Sequence, residues 1–124
     1  MAKKNKPIIL ATGASELADV KRAMKNIKRY NNKICIMQCN TNYTADVKNL
    51  KFINLNVLKN YQKYFPYAVL GLSDHTHGHS TVLGAITLGA RMIEKHFTLS
   101  NKLKGPDHKF SMNPKTWSEM IKRS

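Results

Sequence analysis

The fold is indicated most clearly by residues 66–88, PYAVLGLSDHTHGHSTVLGAITL. Its first part, Tyr67 to Leu72, is a short apolar run that is typical of a buried strand. A polar segment follows, with histidines at positions 75, 77 and 79. Residues 80–88 are apolar and compatible with a helix that Gly89 would end. The stretch therefore predicts a strand, a polar turn and a helix in succession.

The same order recurs along the rest of the chain. Three further strands are predicted from the apolar runs at residues 7–11, 33–39 and 91–97. Ser15 is positioned to cap a helix that reaches about Tyr30, and Pro114 lies at a favourable first-turn position of a last helix. Four strands, each followed by a helix, predict an α/β fold with a parallel sheet.

The segment between residues 47 and 65 is open to two interpretations. Residues 52–57 alternate like a strand, whereas Leu58, Tyr61 and Phe65 have helical spacing. We favour a helix from about Asn54, which Pro66 ends.

Length, composition and charge narrow the class of protein. A chain of 124 residues suffices for one compact domain, and a hydrophobic fraction of 42% supports a core. The net charge of +14 invites a nucleic-acid interpretation. However, the basic residues between Lys21 and Arg29 lie opposite an apolar stripe, as on the solvated side of an amphipathic helix. No recognised nucleic-acid-reading motif accompanies the charge, so attraction of anionic small molecules is the favoured consequence.

The cysteines and the apolar runs bear on the compartment. On one extended strand, Cys35 and Cys39 would lie about 13 Å apart, beyond the reach of a disulfide. The apolar run at residues 7–11 is too short for a signal-peptide core, and no run approaches the length of a membrane span. We expect reduced thiols, no membrane association and a cytoplasmic location.

Polar residues follow the predicted strand ends, where functional residues of parallel α/β folds gather. Alternation along a strand places Ser73 and His75 on one face and Asp74 on the other. Glu94 and His96 share a face in the same way, with Glu94 one step deeper. If the two strands are neighbours, His75 and His96 converge, and two imidazoles suit a divalent metal that also holds substrate.

Each of these residues also has a simpler interpretation. A histidine at a strand end is often a hydrogen-bonded rim residue, and Asp74 is explained by a structural hydrogen bond. Asp107 lies in Gly105-Pro-Asp-His108, which is typical of a turn. His77 and His79 lie beyond the strand, in the loop or at the helix start. Cys39 and Tyr43 would by default be packing residues.

Several motifs, in the same order, resemble those of the sialic acid synthase family, the phosphoenolpyruvate-dependent nonulosonate synthases. The resemblance is carried by these segments: KPIILATG (6–13), QCNTNY (38–43), GLSDHT (71–76), GAITLGA (84–90), IEKHFT (93–98) and GPD (105–107). It extends from about Lys6 to Met120.

The resemblance implies an enzyme that condenses phosphoenolpyruvate with an N-acetylated amino sugar such as N-acetylmannosamine. It also implies a divalent metal, Mn²⁺ or Mg²⁺, held by His75 and His96. Ser73 matches the family's phosphoenolpyruvate-contacting serine, and Asp107 its sugar-contacting aspartate. Tyr43 matches the tyrosine near the sugar. Further substrate-binding residues are expected at two threonines, Thr12 and Thr41.

The chain also departs from the family's pattern. Ala11 stands where many members have serine, which removes one hydroxyl available to phosphate. A full (β/α)8 TIM-type barrel takes about 250 residues, so four βα units make half of one. We expect residues 1–124 to be a single partial domain, the second half of the barrel, without the N-terminal half-barrel or the C-terminal antifreeze-like domain.

Half of a barrel would leave sheet edges and apolar surface exposed. The expected partner is therefore a missing half-barrel chain or a second copy of this chain, and the chain alone is expected to be inactive. The alternative is a non-catalytic metal- or partner-binding half-barrel module.

Overall fold

The computed structural model describes residues 1–41 and 47–124. Its strands are β1 (Ile8–Ala11), β2 (Ile34–Cys39), β3 (Val69–Asp74) and β4 (Met92–Lys95). They form one sheet in the order β1-β2-β3-β4, and every pairing is parallel. The prediction of four parallel strands is confirmed. Because the strands are parallel, their carboxyl ends lie along one edge of the sheet, which we call the rim.

A helix follows each strand along the chain. The helices are α1 (Leu17–Lys28), α2 (Val57–Tyr64), α3 (Ser80–Thr87) and α4 (Pro114–Arg123), and two 3-10 helices cover Ala2–Lys4 and Val47–Phe52. The helical interpretation of the segment before Pro66 is therefore confirmed. On α1, Val20 and Met24 are buried while Lys21 and Lys25 are exposed, as the amphipathic pattern predicted.

The two helix starts that we predicted have different outcomes. Asn113 caps α4: its side chain accepts a hydrogen bond from the Thr116 N–H, and Pro114 occupies the first turn. The capping role of Ser15 is wrong, because Glu16 is the N-cap residue of α1 and makes no side-chain capping bond. Ser15 lies in a turn in which its N–H donates to the Thr12 carbonyl, and its hydroxyl turns back to the Gly13 carbonyl.

All four helices pack on the same face of the sheet, which we call the covered face. Its strand residues include Ile34, Ile36, Leu70 and Leu72, and they share one buried cluster with Met24, Leu58, Val82 and Met120 of the helices. Each such side chain contributes about 1.5–3 kcal/mol when it is fully buried. This cluster is the core of the described residues.

The opposite face carries the alternate strand residues, and we call it the open face. It includes Ile9, Cys35, Met37, Val69, Gly71 and Met92. Ile9, Val69 and Met92 are exposed large apolar residues, although Cys35 and Met37 between them are buried. A groove of about 290 Å³ runs over this part of the sheet, with Pro7, Ile9, Cys35, Tyr67, Val69 and Met92 in its lining.

Two further expectations concern the thiols and the membrane. Cys35 and Cys39 are both free cysteines, as their spacing on β2 predicted. Among residues 1–41 and 47–124, no helix has the length and apolar character needed to cross a bilayer.

Candidate functional site

Two histidines meet at the rim, where β3 and β4 end next to each other. His75 follows the last residue of β3 and His96 follows the last residue of β4. The strands pair with Ser73 opposite Glu94 and Asp74 opposite Lys95. The two imidazole rings lie with their centroids 5.2 Å apart, inclined at 67°. The predicted convergence of His75 and His96 is confirmed.

The ring of His75 is oriented by a hydrogen bond to the backbone of Asn40, the residue that follows β2. Its Nδ1–H donates to the Asn40 carbonyl oxygen at 2.7 Å, because a carbonyl can only accept. Burial lowers the pKa of His75 below its ordinary value, although the bond to Asn40 acts in the opposite direction. The neutral imidazole with its proton on Nδ1 carries its lone pair on Nε2, which is the form that binds a metal.

His96 is placed by the long turn that follows β4. Its carbonyl accepts a hydrogen bond from the Met112 N–H, and its ring packs against Phe110 with centroids 5.1 Å apart. Its Nδ1 lies 3.5 Å from Oδ2 of Asp107, whose side chain is half exposed. The structure therefore places Asp107 beside the histidine pair, within a turn as its sequence context predicted.

Ser73 and Glu94 lie one rung below the histidines on the same face. Ser73 is buried, and its hydroxyl donates to Oε1 of Glu94 at 2.7 Å. The position of Glu94 one step deeper than His96 is as predicted. Any anion that took the Ser73 hydroxyl as a donor would compete with Glu94 for it.

The two threonines that were predicted to bind substrate, Thr12 and Thr41, differ in their exposure to solvent. Thr41 is exposed at the rim, and a Cβ at Gly13 would collide with its Cγ2 unless the Thr41 side chain shifted. Thr12 is buried and turned towards α2. It donates to the Met37 carbonyl at 2.9 Å and accepts from the Tyr61 hydroxyl at 2.7 Å. Tyr43 lies outside the described residues.

A cleft of about 320 Å³ opens at the rim beside β1 and β2. It is lined by Thr12, Gly13, Ala14, Ser15, Glu16, Gln38, Cys39, Val57 and Tyr61. Gln38 is buried, and its Oε1 has no hydrogen-bond partner within the described part of the chain. The cleft adds room next to the Gly13–Thr41 contact, away from the two histidines.

The donor set can be tested against a divalent metal. Within residues 1–41 and 47–124, no group of three histidine, cysteine or acidic side chains could hold an ion. If His75 and His96 held an ion, they would supply two nitrogen donors, and the remaining positions would fall to water, substrate or other parts of the protein. Two imidazole nitrogens do not choose between Mn²⁺ and Mg²⁺, because both ions favour oxygen ligands, which water or substrate would supply.

Two contributors to the site were missed from the sequence. The Asn40 carbonyl could not be singled out, because every residue has a carbonyl. Phe110 is brought back to His96 only by the fold of the turn after β4.

These features define a class: a segment of a parallel (β/α) barrel with its polar residues at the carboxyl-terminal rim. The family model described as "NeuB family" matches residues 1–124, and the chain belongs to the NeuB family. The resemblance to sialic acid synthases is thereby confirmed.

Curated relatives match along nearly the whole chain. The spore coat polysaccharide biosynthesis protein SpsE of Bacillus subtilis is 40% identical over 123 residues, which is 98% of this chain and 32% of that protein. The human N-acetylneuraminate-9-phosphate synthase is 32% identical over 121 residues, covering 98% of this chain and 33% of that enzyme. The N,N'-diacetyllegionaminic acid synthase of Campylobacter jejuni is 40% identical, covering 92% of this chain and 34% of that enzyme. The chain thus spans about a third of the length of these relatives.

Solved structures show the same fold. The crystal structure of B. subtilis SpsE superposes with a TM-score of 0.91 at 40% identity, covering 98% of this chain and 34% of that one. The N-acetylneuraminic acid synthetase of Leptospira borgpetersenii gives 0.89 at 24% identity, covering 98% and 41%. The four strands are therefore half of a barrel of the TIM type. Which half they form remains a prediction.

Proposed function

We infer that this chain is a segment of a nonulosonate synthase that condenses phosphoenolpyruvate with an N-acetylated amino sugar such as N-acetylmannosamine. The observation that carries the proposal is the His75–His96 pair at the rim, with ring centroids 5.2 Å apart. Two further findings support the proposal: membership of the NeuB family over the full chain, and relatives that include N-acetylneuraminate-9-phosphate and diacetyllegionaminic acid synthases.

His75 and His96 would hold the divalent metal, Mn²⁺ or Mg²⁺. When bound, such an ion polarises a carbonyl oxygen, here that of the open-chain sugar aldehyde. The hydrogen bond from His75 to Asn40 fixes the imidazole in the tautomer that this role requires. The burial of His75 acts in the same direction, because a lowered pKa keeps the ring neutral.

The other residues would bind and orient the two substrates. Ser73 would donate its hydroxyl to phosphoenolpyruvate in place of Glu94. Asp107, half exposed beside His96, would accept hydrogen bonds from sugar hydroxyls. Thr41 faces solvent at the same rim. The net charge of +14 favours the approach of an anionic substrate.

The chain alone is proposed to be inactive or weakly active. It spans about a third of its relatives, and its described residues would supply two metal donors. The open face, with Ile9, Val69 and Met92 exposed, would be covered by the remaining half-barrel or by a second copy.

A second candidate is a half-barrel module that binds metal or a protein partner without catalysis. The two-donor site and the exposed apolar groove of the open face favour it. The two candidates differ in whether completing the barrel restores chemistry.

The test is product formation and phosphate release from phosphoenolpyruvate and N-acetylmannosamine, with and without Mn²⁺. We expect no turnover by the chain alone, and Mn²⁺-dependent turnover once the other part of a related barrel is supplied. Turnover by the isolated chain would overturn its incompleteness. Mn²⁺ binding without turnover in the completed assembly would favour the non-catalytic module.

The metal site itself is tested by Mn²⁺ affinity. His75→Ala and His96→Ala should each abolish measurable binding, whereas His77→Ala, which removes an exposed histidine nearby, should leave it unchanged. Unchanged affinity in both of the first two variants would contradict the proposed ligands.

A further inference from the structure

A second polar cluster lies directly behind the histidines, on the covered face. It consists of Asp74, Thr76, Thr81 and Lys95, which we call the clamp. The side chains of Lys95 and Asp74 are only 2% and 3% exposed, and Lys95 Nζ donates to Asp74 Oδ2 at 2.7 Å. Thr81, in the first turn of α3, donates to the same Oδ2 at 2.6 Å. A fully buried ion pair thus sits one residue away from each histidine.

Stability alone does not account for this pair. Removing two charges from water is costly, and an apolar pair of similar volume is often equally or more stabilising in such a position. Lysine is almost never fully buried unless it is paired, and the partner of Lys95 here is Asp74. The hydrogen bonds of Lys95 and Asp74 indicate a role in positioning the neighbouring backbone.

The clamp ties together the two segments that carry the histidines. Lys95 Nζ donates not only to Asp74 but also to the Thr76 carbonyl oxygen, at 2.8 Å. Asp74 Oδ1 in turn accepts from the Thr76 N–H at 3.0 Å. The residues on both sides of His75 are therefore bonded, directly or through each other, to the residue that precedes His96.

We propose that Lys95 and Asp74 are positioning residues that set the separation and orientation of His75 and His96. The proposal rests on the proposed function in so far as those histidines bind a metal. Side chains alternate along a strand, so the clamp and the histidines use adjacent residues on opposite faces. The clamp holds the backbone in place from the covered face, so the open face stays accessible to the ligand.

The test variant is Asp74→Asn/Lys95→Met, which removes both charges together and so leaves no unpaired buried ion. Asparagine keeps an acceptor for the Thr76 N–H, which protects the fold of the turn. In a folded double variant we expect the affinity for Mn²⁺ alone to fall about tenfold, as for other partners that orient metal ligands. The control is Arg22→Met, which removes one basic residue from an exposed ion pair on α1 and should leave the affinity unchanged.

A metal-free measurement separates the clamp from the proposed function. In the unloaded chain, the nuclear Overhauser effect between the ring protons of His75 and His96 should be seen in the wild type and weakened or lost in the double variant. If the wild type binds no Mn²⁺, the proposed metal site is wrong, and the ring-to-ring effect still decides on the clamp.

A folded double variant with an unchanged ring-to-ring effect and unchanged Mn²⁺ affinity would overturn the clamp while leaving the proposed function standing. Should the double variant not fold, Thr81→Val serves instead. This isosteric change removes one hydrogen bond to Asp74 Oδ2 and should weaken Mn²⁺ binding about threefold. Full affinity in that variant would count equally against the clamp.

Discussion

The covered and open faces of the sheet are built by alternate residues of the same four strands, yet they differ in completeness. On the covered face, Ile36 is 0% exposed beneath the helices. On the open face of the neighbouring strand, Ile9 is 53% exposed. The apolar side chains of one face find their partners within the chain, and those at the edges of the other do not. The open face is therefore the surface that the proposed partner would cover.

The polar residues of the two faces differ in the same way. On the covered face, Asp74 and Lys95 are buried and bonded to each other. On the open face, Glu94 is exposed, and Asp107, whose Oδ2 lies 3.5 Å from Nδ1 of His96, is half exposed. A site that must both hold its shape and admit a ligand needs fixed polar groups, as on the covered face, and accessible polar groups, as on the open face.

The strongest test of this contrast uses two isoleucines on adjacent strands. Ile36→Ala should lower the free energy of unfolding by about 3 kcal/mol, because it opens a cavity in the packed cluster. Ile9→Ala should cost less than about 1 kcal/mol at protein concentrations low enough to keep the chain monomeric, because its side chain then contacts water. Urea unfolding followed by circular dichroism measures both. Equal losses would mean that Ile9 is covered in solution, for example by a second copy.

Much of the fold could be predicted from the sequence, because the apolar periodicities are strong. Short apolar runs bounded by breakers marked all four strands, and the spacing of Leu58, Tyr61 and Phe65 identified α2. The start of α1 was missed because the chain makes a turn there first. Ala14 adopts a left-handed conformation (φ 56°), and the bond from Ser15 to the Thr12 carbonyl draws Ser15 away from the helix. Such local turns compete with capping and leave little trace in residue types.

The site could be predicted in part, for a different reason. Strand alternation alone placed His75 and His96 together, since it needs only the register of two neighbours. The groups that orient them are a backbone carbonyl at Asn40 and a ring, Phe110, that arrives through a turn. Neither has a local pattern, because both depend on how loops close over the rim.

The two cysteines report on the accessibility of the open face, because both lie on it but at different depths. Burial raises the pKa of the Cys35 thiol, while Cys39, nearer the rim, is partly exposed. At pH 8 we expect iodoacetamide to modify Cys39 about tenfold faster than Cys35, a difference of roughly 1.4 kcal/mol. Mass spectrometry of the labelled peptides measures both rates, and Cys39→Ser isolates the slow one.

The raised thiol pKa also has a consequence for stability. The neutral Cys35 thiol contributes stability that is present below its unfolded pKa of about 8.5 and is lost as the pH rises through the folded value.

In the iodoacetamide experiment, equal labelling rates at the two cysteines would show that the open face is accessible throughout its depth.

The last prediction concerns what covers the open face. Val69→Lys places a charge among its exposed apolar residues and should change the stability of the chain by no more than about 0.5 kcal/mol. It should nevertheless abolish the concentration-dependent association that we expect of the wild type in size-exclusion chromatography. Since each copy carries +14, association should strengthen as salt is raised. The matched control is Ile121→Lys. Ile121 lies on α4 and is also exposed, so this variant should associate as the wild type does. A wild type that stays monomeric and well folded at every salt and protein concentration would show that the open face is stable in water without a second copy.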